Sequence, residues 1–209
     1  HVSGGYAYVA CGYDGLLIYD VSDPMQLRRV GIWQYDCSCN GVFVRGTDAF
    51  VACSDCLYAL NVSDPAQPMR RGAACPAGTG EAVYVEGDYA YLADGEGGIQ
   101  IIDVSDLDWP KQVSSCDTGW DDTHDVWYSD GYVYAADAYY GLSSAEVEKP
   151  WQPVAKPSYD GIPEAAQAVC VVGDYAYVGA GSAGLWVIDV SDPTQLTLVG
   201  SYDTSGAVV

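Results

Sequence analysis

The chain has 209 residues, 49% of them hydrophobic and 18% charged, and its 8 basic residues stand against 29 acidic ones for a formal net charge of −21. Phosphate contacts need Lys and Arg, so this balance excludes a nucleic-acid binder, and it equally excludes docking on an anionic membrane surface. The apolar fraction excludes a disordered acidic tail, and no run approaches the roughly 20 apolar residues that insert across a bilayer.

From the N-terminus onward the elements read as short strands. Tyr6-Ala7-Tyr8-Val9-Ala10 alternates as a half-buried strand does, and the type recurs at Ala82-Val83-Tyr84-Val85. No long segment carries apolar residues at helical spacing between caps. The composition agrees, with 18 Tyr, which favours strands, and 24 Gly and 10 Pro, which punctuate turns.

The strands repeat. An aromatic anchor returns about every 42 residues, at Tyr8, Phe50, Tyr91, Tyr134 and Tyr177. A turn keeps the same period: Asp20 to Pro24, Asn61 to Pro65, Asp103 to Asp106 and Asp189 to Pro193, with a degenerate copy at Glu146 to Pro150. Each unit resolves into four strands, typified by Val83–Val85, Tyr89–Ala93, Ile99–Val104 and Leu198–Tyr202. A period of 40 to 45 with four short strands is the propeller signature. The Asp-Val-Ser-Asp-Pro segments are turn chemistry, because Asp and Ser side chains bond nearby backbone N–H groups. A calcium role for these acidic turns is the alternative, although one such turn supplies few converging oxygens.

The segments Leu16 to Pro24 and Leu185 to Pro193, with Gly87 to Tyr91 and Gly173 to Tyr177 before the equivalent turns, resemble LVIVD repeats. The resemblance is clear in copies one, three and five, fair in two and weak in four. It implies a β-propeller of bacterial or archaeal surface or secreted proteins, and supplies no catalytic residues. The expected fold is all-β: one domain over residues 1–209, a five-bladed β-propeller with four antiparallel strands per blade. Across the chain ends, Val209-His1-Val2-Ser3-Gly4 matches Val83 to Gly87, so the first blade is expected to be closed by both termini, which removes an open seam. The rival is that the chain is one segment of a longer tandem array.

Six of the eight basic residues, Arg28, Arg29, Arg70, Arg71, Lys111 and Lys156, fall on or beside the fourth strand of a unit. That strand is the outer edge of a blade, and edge charges discourage strand addition. The fifth unit has no such charge at Thr197-Leu198-Val199-Gly200, which marks these four residues as a candidate assembly edge.

Of the eight cysteines, Cys11, Cys37, Cys39, Cys53, Cys56, Cys75 and Cys116 gather at hairpins and connections on one face. They are candidate disulfide partners, which implies an oxidising, extracellular setting. Zinc held by Cys37-x-Cys39 and Cys53-x-x-Cys56 is the rival. Cys170, mid-strand, reads as a small buried apolar residue.

Repeat alignment places Asn40, Glu81, His124 and Gln167, followed by Ala207, at one position before the first strand of a unit. There they would ring the mouth of the central channel, as a ligand site or a solvated polar rim. Asp121, Asp122, His124 and Asp125 form an alternative divalent-metal set. Asn61-Val62-Ser63 completes a glycosylation sequon, but its place in the repeat favours a structural role. No nucleophile sits beside a general base. The expected function is a non-catalytic extracellular or cell-surface module for assembly, scaffolding or adhesion. It needs no cofactor, and its partners are proteins, including copies of itself. The alternative is a propeller enzyme or a calcium- or zinc-dependent ligand binder using the channel rim.

Overall fold

The computed structural model describes residues 1–117, 122–138, 140–204 and 206–208. Among the described residues, twenty strands form five four-stranded antiparallel sheets, each an up-and-down run of consecutive strands. Blade one holds β1 (Val2–Ser3), β2 (Tyr6–Ala10), β3 (Leu16–Asp20) and β4 (Arg28–Trp33). Blade two holds β5 (Cys39–Arg45), β6 (Asp48–Cys53), β7 (Leu57–Asn61) and β8 (Met69–Ala74). Blade three holds β9 (Ala82–Glu86), β10 (Tyr89–Ala93), β11 (Ile99–Asp103) and β12 (Lys111–Cys116). Blade four holds β13 (Thr123–Ser129), β14 (Tyr132–Asp137), β15 (Gly141–Glu146) and β16 (Val154–Tyr159), and blade five holds β17 (Ala168–Val172), β18 (Tyr175–Gly179), β19 (Leu185–Asp189) and β20 (Thr197–Tyr202).

The turns follow from local chemistry. Asp20 Oδ1 accepts from the Ser22 backbone N–H at 3.0 Å and from its hydroxyl at 2.6 Å. The same pair of bonds joins Asn61 to Ser63, Asp103 to Ser105 and Asp189 to Ser191. Three residues on, Asp23, Asp64, Asp106 and Asp192 each accept from the N–H two positions ahead. Copies one, two, three and five thus use their side chains to replace the backbone bonds that a turn leaves unmade. The Asn61 carboxamide oxygen is spent inside its turn.

Blades pack through their two faces. Strand alternation sends Tyr8, Phe50, Tyr91 and Tyr134 towards the following blade, where all are at most 4% exposed. They meet the opposite face of that blade, built of smaller residues: Ala49 and Val51, Ala90 and Leu92, Val133 and Ala135, Ala176 and Val178. The innermost strands of neighbours touch in sequence, β5 against β9, β9 against β13 and β13 against β17. Hairpins link to the next blade at one end of the sheets, with Gly12 bridging Cys39 and Gly95 bridging Thr123.

A second contact recurs at the outer strand. A Cβ on Gly31 would lie 1.8 Å from the Pro65 carbonyl oxygen, and one on Gly72 2.5 Å from the Leu107 carbonyl oxygen. In blade three the equivalent Ser114 donates its hydroxyl to the Pro150 carbonyl. The turns of blades two, three and four therefore seat on this position of the preceding outer strand.

Among the described residues, the flanks of blades one and five are open. Val9 is 40% exposed, whereas its equivalents Val51, Leu92, Ala135 and Val178 are fully buried. Tyr177, the fifth anchor, is half-buried, and a Cβ on Gly200 would meet nothing within 4 Å. Closure of blade one by both termini is met only in its local pieces. His1 pairs with Tyr8, its amine donating to the Tyr8 carbonyl at 3.0 Å, and Val208 bridges Gly181. Among the described residues no buried cluster joins blade five to blade one.

The contrast between these glycines is measurable. Gly72→Ala is expected to lower stability by about 2–3 kcal/mol, because backbone atoms of the next blade must move. Gly200→Ala is expected to stay within about 0.5 kcal/mol of the parent. Urea unfolding of both variants checks this.

Candidate functional site

The end of the sheets that carries the hairpins and inter-blade connections collects most of the chemistry. Asn40 and His124 sit at register shifts near the starts of β5 and β13. Such bulges re-aim a side chain out of the ladder. Glu81 and Gln167 precede β9 and β17, and their N–H groups donate to Ala93 and Gly179 at 2.8 Å. Asn40 donates to the Gly80 carbonyl at 2.9 Å and so ties blade two to blade three. Burial raises the Glu81 carboxyl, the nearby Asp122 raises it further, and His124 opposes both. Asn40, Glu81, Asp122 and His124 thus share one neighbourhood. Asp121 lies outside the described residues.

Asp125 has a different task. Its carboxylate accepts from the Val126 and Val169 N–H groups, both at 2.9 Å, joining blade four to blade five. Burial pushes it up to about 6. Among the described residues, Asp122, His124 and Asp125 do not converge as a metal set; only Cys37, Cys39 and Cys53 do, with their sulfurs within 4.8 Å of one another.

The cysteines divide. Cys56 and Cys75 form a disulfide with an S–S distance of 1.96 Å, closing 19 residues between a hairpin and the connection into blade three. Cys11, Cys37, Cys39, Cys53 and Cys116, also expected as disulfide candidates, are free thiols, as is Cys170. Cys11 is exposed and Cys170 half-buried; the other four are buried. Burial drives the Cys37 thiol up to about 12, while a hydrogen bond from Cys53 lowers Cys39 and raises Cys53 in turn.

The candidate assembly edge, Thr197 to Gly200, lies on β20, the outermost strand of blade five, with Leu198 and Val199 exposed. The basic residues occupy the outer strands as expected. Arg28 pairs with Asp20, Arg71 with Asp108 and Lys156 with Glu146. Arg70 instead lies over the Tyr58 ring, 4.9 Å from its centroid.

Two features were missed in the sequence. An aromatic chain runs through the inner strands: His1 to Phe43 at 4.8 Å, Phe43 to Tyr84 at 4.9 Å, and Tyr84 to Trp127 at 5.2 Å. These residues share one repeat position, which Cys170 occupies in blade five. The other feature is the position three after each anchor: Cys11, Cys53, Asp94, Asp137 and Ala180. Asp94 is 1% exposed, and its carboxylate accepts from the Gly78 N–H at 3.1 Å. Asp137, equally buried, accepts from the Thr123 hydroxyl at 2.7 Å. The signal that finds them is the repeat column itself, in which Cys11 and Cys53 hold the same position of adjacent units.

Five four-stranded sheets, packed face to face in sequence order, define a β-propeller architecture. The LVIVD repeat model matches residues 1–34, 77–118 and 164–204, in copies one, three and five. The chain belongs to the LVIVD-repeat family. A comparison with curated proteins finds no match. Among solved structures, the chain is similar to a periplasmic gluconolactonase of Pseudomonas aeruginosa, with a TM-score of 0.83, 13% identity, and coverage of 99% of this chain and 69% of that one. A protein from Lactobacillus plantarum gives 0.86, 13%, 98% and 70% in the same order. A β-propeller domain from Myceliophteria thermophila gives 0.72, 13%, 98% and 73%. The chain spans about two thirds to three quarters of the length of these structures, and the likeness is one of fold.

Burial pushes the Asp94 carboxyl up to about 6. An acid raised in this way keeps its proton in the folded state after the unfolded chain has lost it. Its contribution is therefore present at low pH and is lost as pH rises between about 4 and 6. Asp94→Asn preserves the acceptor for Gly78 and removes the ionisation. It is expected to be more stable than the parent by about 2 kcal/mol at pH 7 and equal to it near pH 4. Urea denaturation across that range decides the matter.

Proposed function

We propose that this propeller is a non-catalytic extracellular or cell-surface module that assembles head to tail with copies of itself. The observation that carries this is the vacant seat at Gly200. At three of the four equivalent positions, Gly31, Gly72 and Ser114, a turn carbonyl of the next blade is in place. Blade one presents the matching turn, with Pro24 exposed. Its companion face carries exposed Val9, and the blade-five flank adds exposed Tyr175, Leu198 and Val199. A second copy docking blade one onto blade five repeats a packing that the chain already makes within itself. Such a contact is heterologous, so it builds rings or filaments. The Cys56–Cys75 disulfide supports an oxidising compartment. Closure of the same two faces within one chain, with both termini completing blade one, is the competing arrangement; it fills the seat without raising the mass.

A second reading is catalytic. It is favoured by the raised Glu81 carboxyl near His124 and by the fold likeness to a gluconolactonase. Lactone hydrolysis that disappears in both Glu81→Gln and His124→Ala supports that reading.

For assembly, sedimentation of the parent is expected to give a mass that grows with concentration. Gly200→Leu is expected to remain monomeric at unchanged monomer stability. A parent that stays monomeric at several hundred micromolar sinks the head-to-tail proposal.

A further inference from the structure

Three buried thiols meet where blade one passes into blade two. Cys39 and Cys53 are direct cross-strand partners in the β5–β6 ladder, and Cys37 reaches the same point from the connection before β5. They are at most 4% exposed, and their sulfurs lie within 4.8 Å of one another. Tetrahedral zinc at 2.3 Å from each sulfur needs S···S separations of about 3.8 Å, which falls inside the 4.8 Å bound on the three sulfurs.

A carboxylate stands beside the cluster, outside the mutual 4.8 Å grouping of the three sulfurs, and would swing in to complete a fourth position. Asp55, between Cys53 and Cys56 on the hairpin, is exposed, and its charge acts on the Cys37 thiol. Its carboxylate is oriented by the Tyr58 hydroxyl, which donates to Oδ2 at 2.7 Å. The Arg70 guanidinium covers the Tyr58 ring and brings positive charge to an otherwise anionic donor set. Cys56 is not available as a ligand, because it is bonded to Cys75.

We propose that Cys37, Cys39, Cys53 and Asp55 form a structural zinc(II) site, with the three sulfurs buried and Asp55 on the solvent side. Sulfur donors suit a borderline or soft cation and are unsuited to calcium or magnesium. A disulfide between Cys39 and Cys53 would leave the third sulfur without a role, whereas a four-coordinate ion uses all three. Binding is a proton-for-metal exchange without redox change: each thiol that coordinates releases its proton to solvent as its sulfur bonds the ion. The ion would tie the blade-one connection to the first hairpin of blade two, beside the place where the Cys56–Cys75 disulfide ties that hairpin to the next connection. This inference does not depend on how copies assemble.

Cobalt(II) serves as the probe, added to protein purified with chelator and without reductant, so that the disulfide is retained. One equivalent is expected to bind with a sulfur-to-cobalt charge-transfer band, and zinc(II) is expected to displace it. The band is expected to vanish in Cys39→Ser and Cys53→Ser and to persist in Cys11→Ser and Cys170→Ser. Tyr58→Phe is expected to weaken binding about tenfold or more through loss of the bond that orients Asp55. If the cysteine variants fail to fold, alkylation of the parent decides instead: zinc is expected to protect three thiols. A folded parent that gives no charge-transfer band and no zinc protection overturns the proposal. So does an intact mass showing a second disulfide.

Discussion

Everything in this molecule depends on one packing relation, an aromatic side chain from the second strand of a blade set against small side chains of the next. Tyr8, Phe50, Tyr91 and Tyr134 are each buried by that contact. Their burial fixes strand register, because a slip of one residue would turn every anchor to the wrong face. The seat of a turn carbonyl on Gly31 or Gly72 fixes the second coordinate, how far one blade slides along another. The two contacts together make each blade a socket on one side and a plug on the other. Blades one and five keep the same anchor position, Tyr8 and Tyr177, and among the described residues one face of each is unmet.

The acidity of the chain is managed in two ways. Turn carboxylates such as Asp20, Asp103, Asp189 and Asp192 are held below the usual carboxylate range, first by the hydroxyls they accept from. They favour the ionised form and place negative charge in water. Asp94 and Asp125 are raised by burial, and their oxygens serve as acceptors for backbone N–H groups that would otherwise be unpaired. One residue type thus performs opposite electrostatic work according to depth, with the turns stabilised above the carboxylate range and the buried pair stabilised below it.

The fold was legible because its rules are local. Alternation, turn chemistry and the period of about 42 residues are written within each unit, so strands, blade number and the placement of basic residues on outer strands could be read directly. The site was less legible because it is built between units. Whether Cys56 meets Cys75 or Cys53 depends on the path of a connection, which no spacing rule encodes. The carboxylate of Asp125 looked like a metal ligand beside His124, yet it reaches across to Val169 in the next blade. Closure of blade one was inferred from matching chain ends, but matching sequence does not determine whether the curvature of five blades brings the two faces together.

The open flanks have a consequence for cooperativity. Among the described residues, blades two, three and four are each held by two neighbours, and blades one and five by one. In a quasi-one-dimensional stack, the stability of a unit is its own plus that of the interfaces it shares. Local opening is therefore cheapest at the two ends and dearest in blade three, so amide protection would grade along the chain. A partner that covers either end would flatten that gradient, converting a stack that frays into one that unfolds as a single unit.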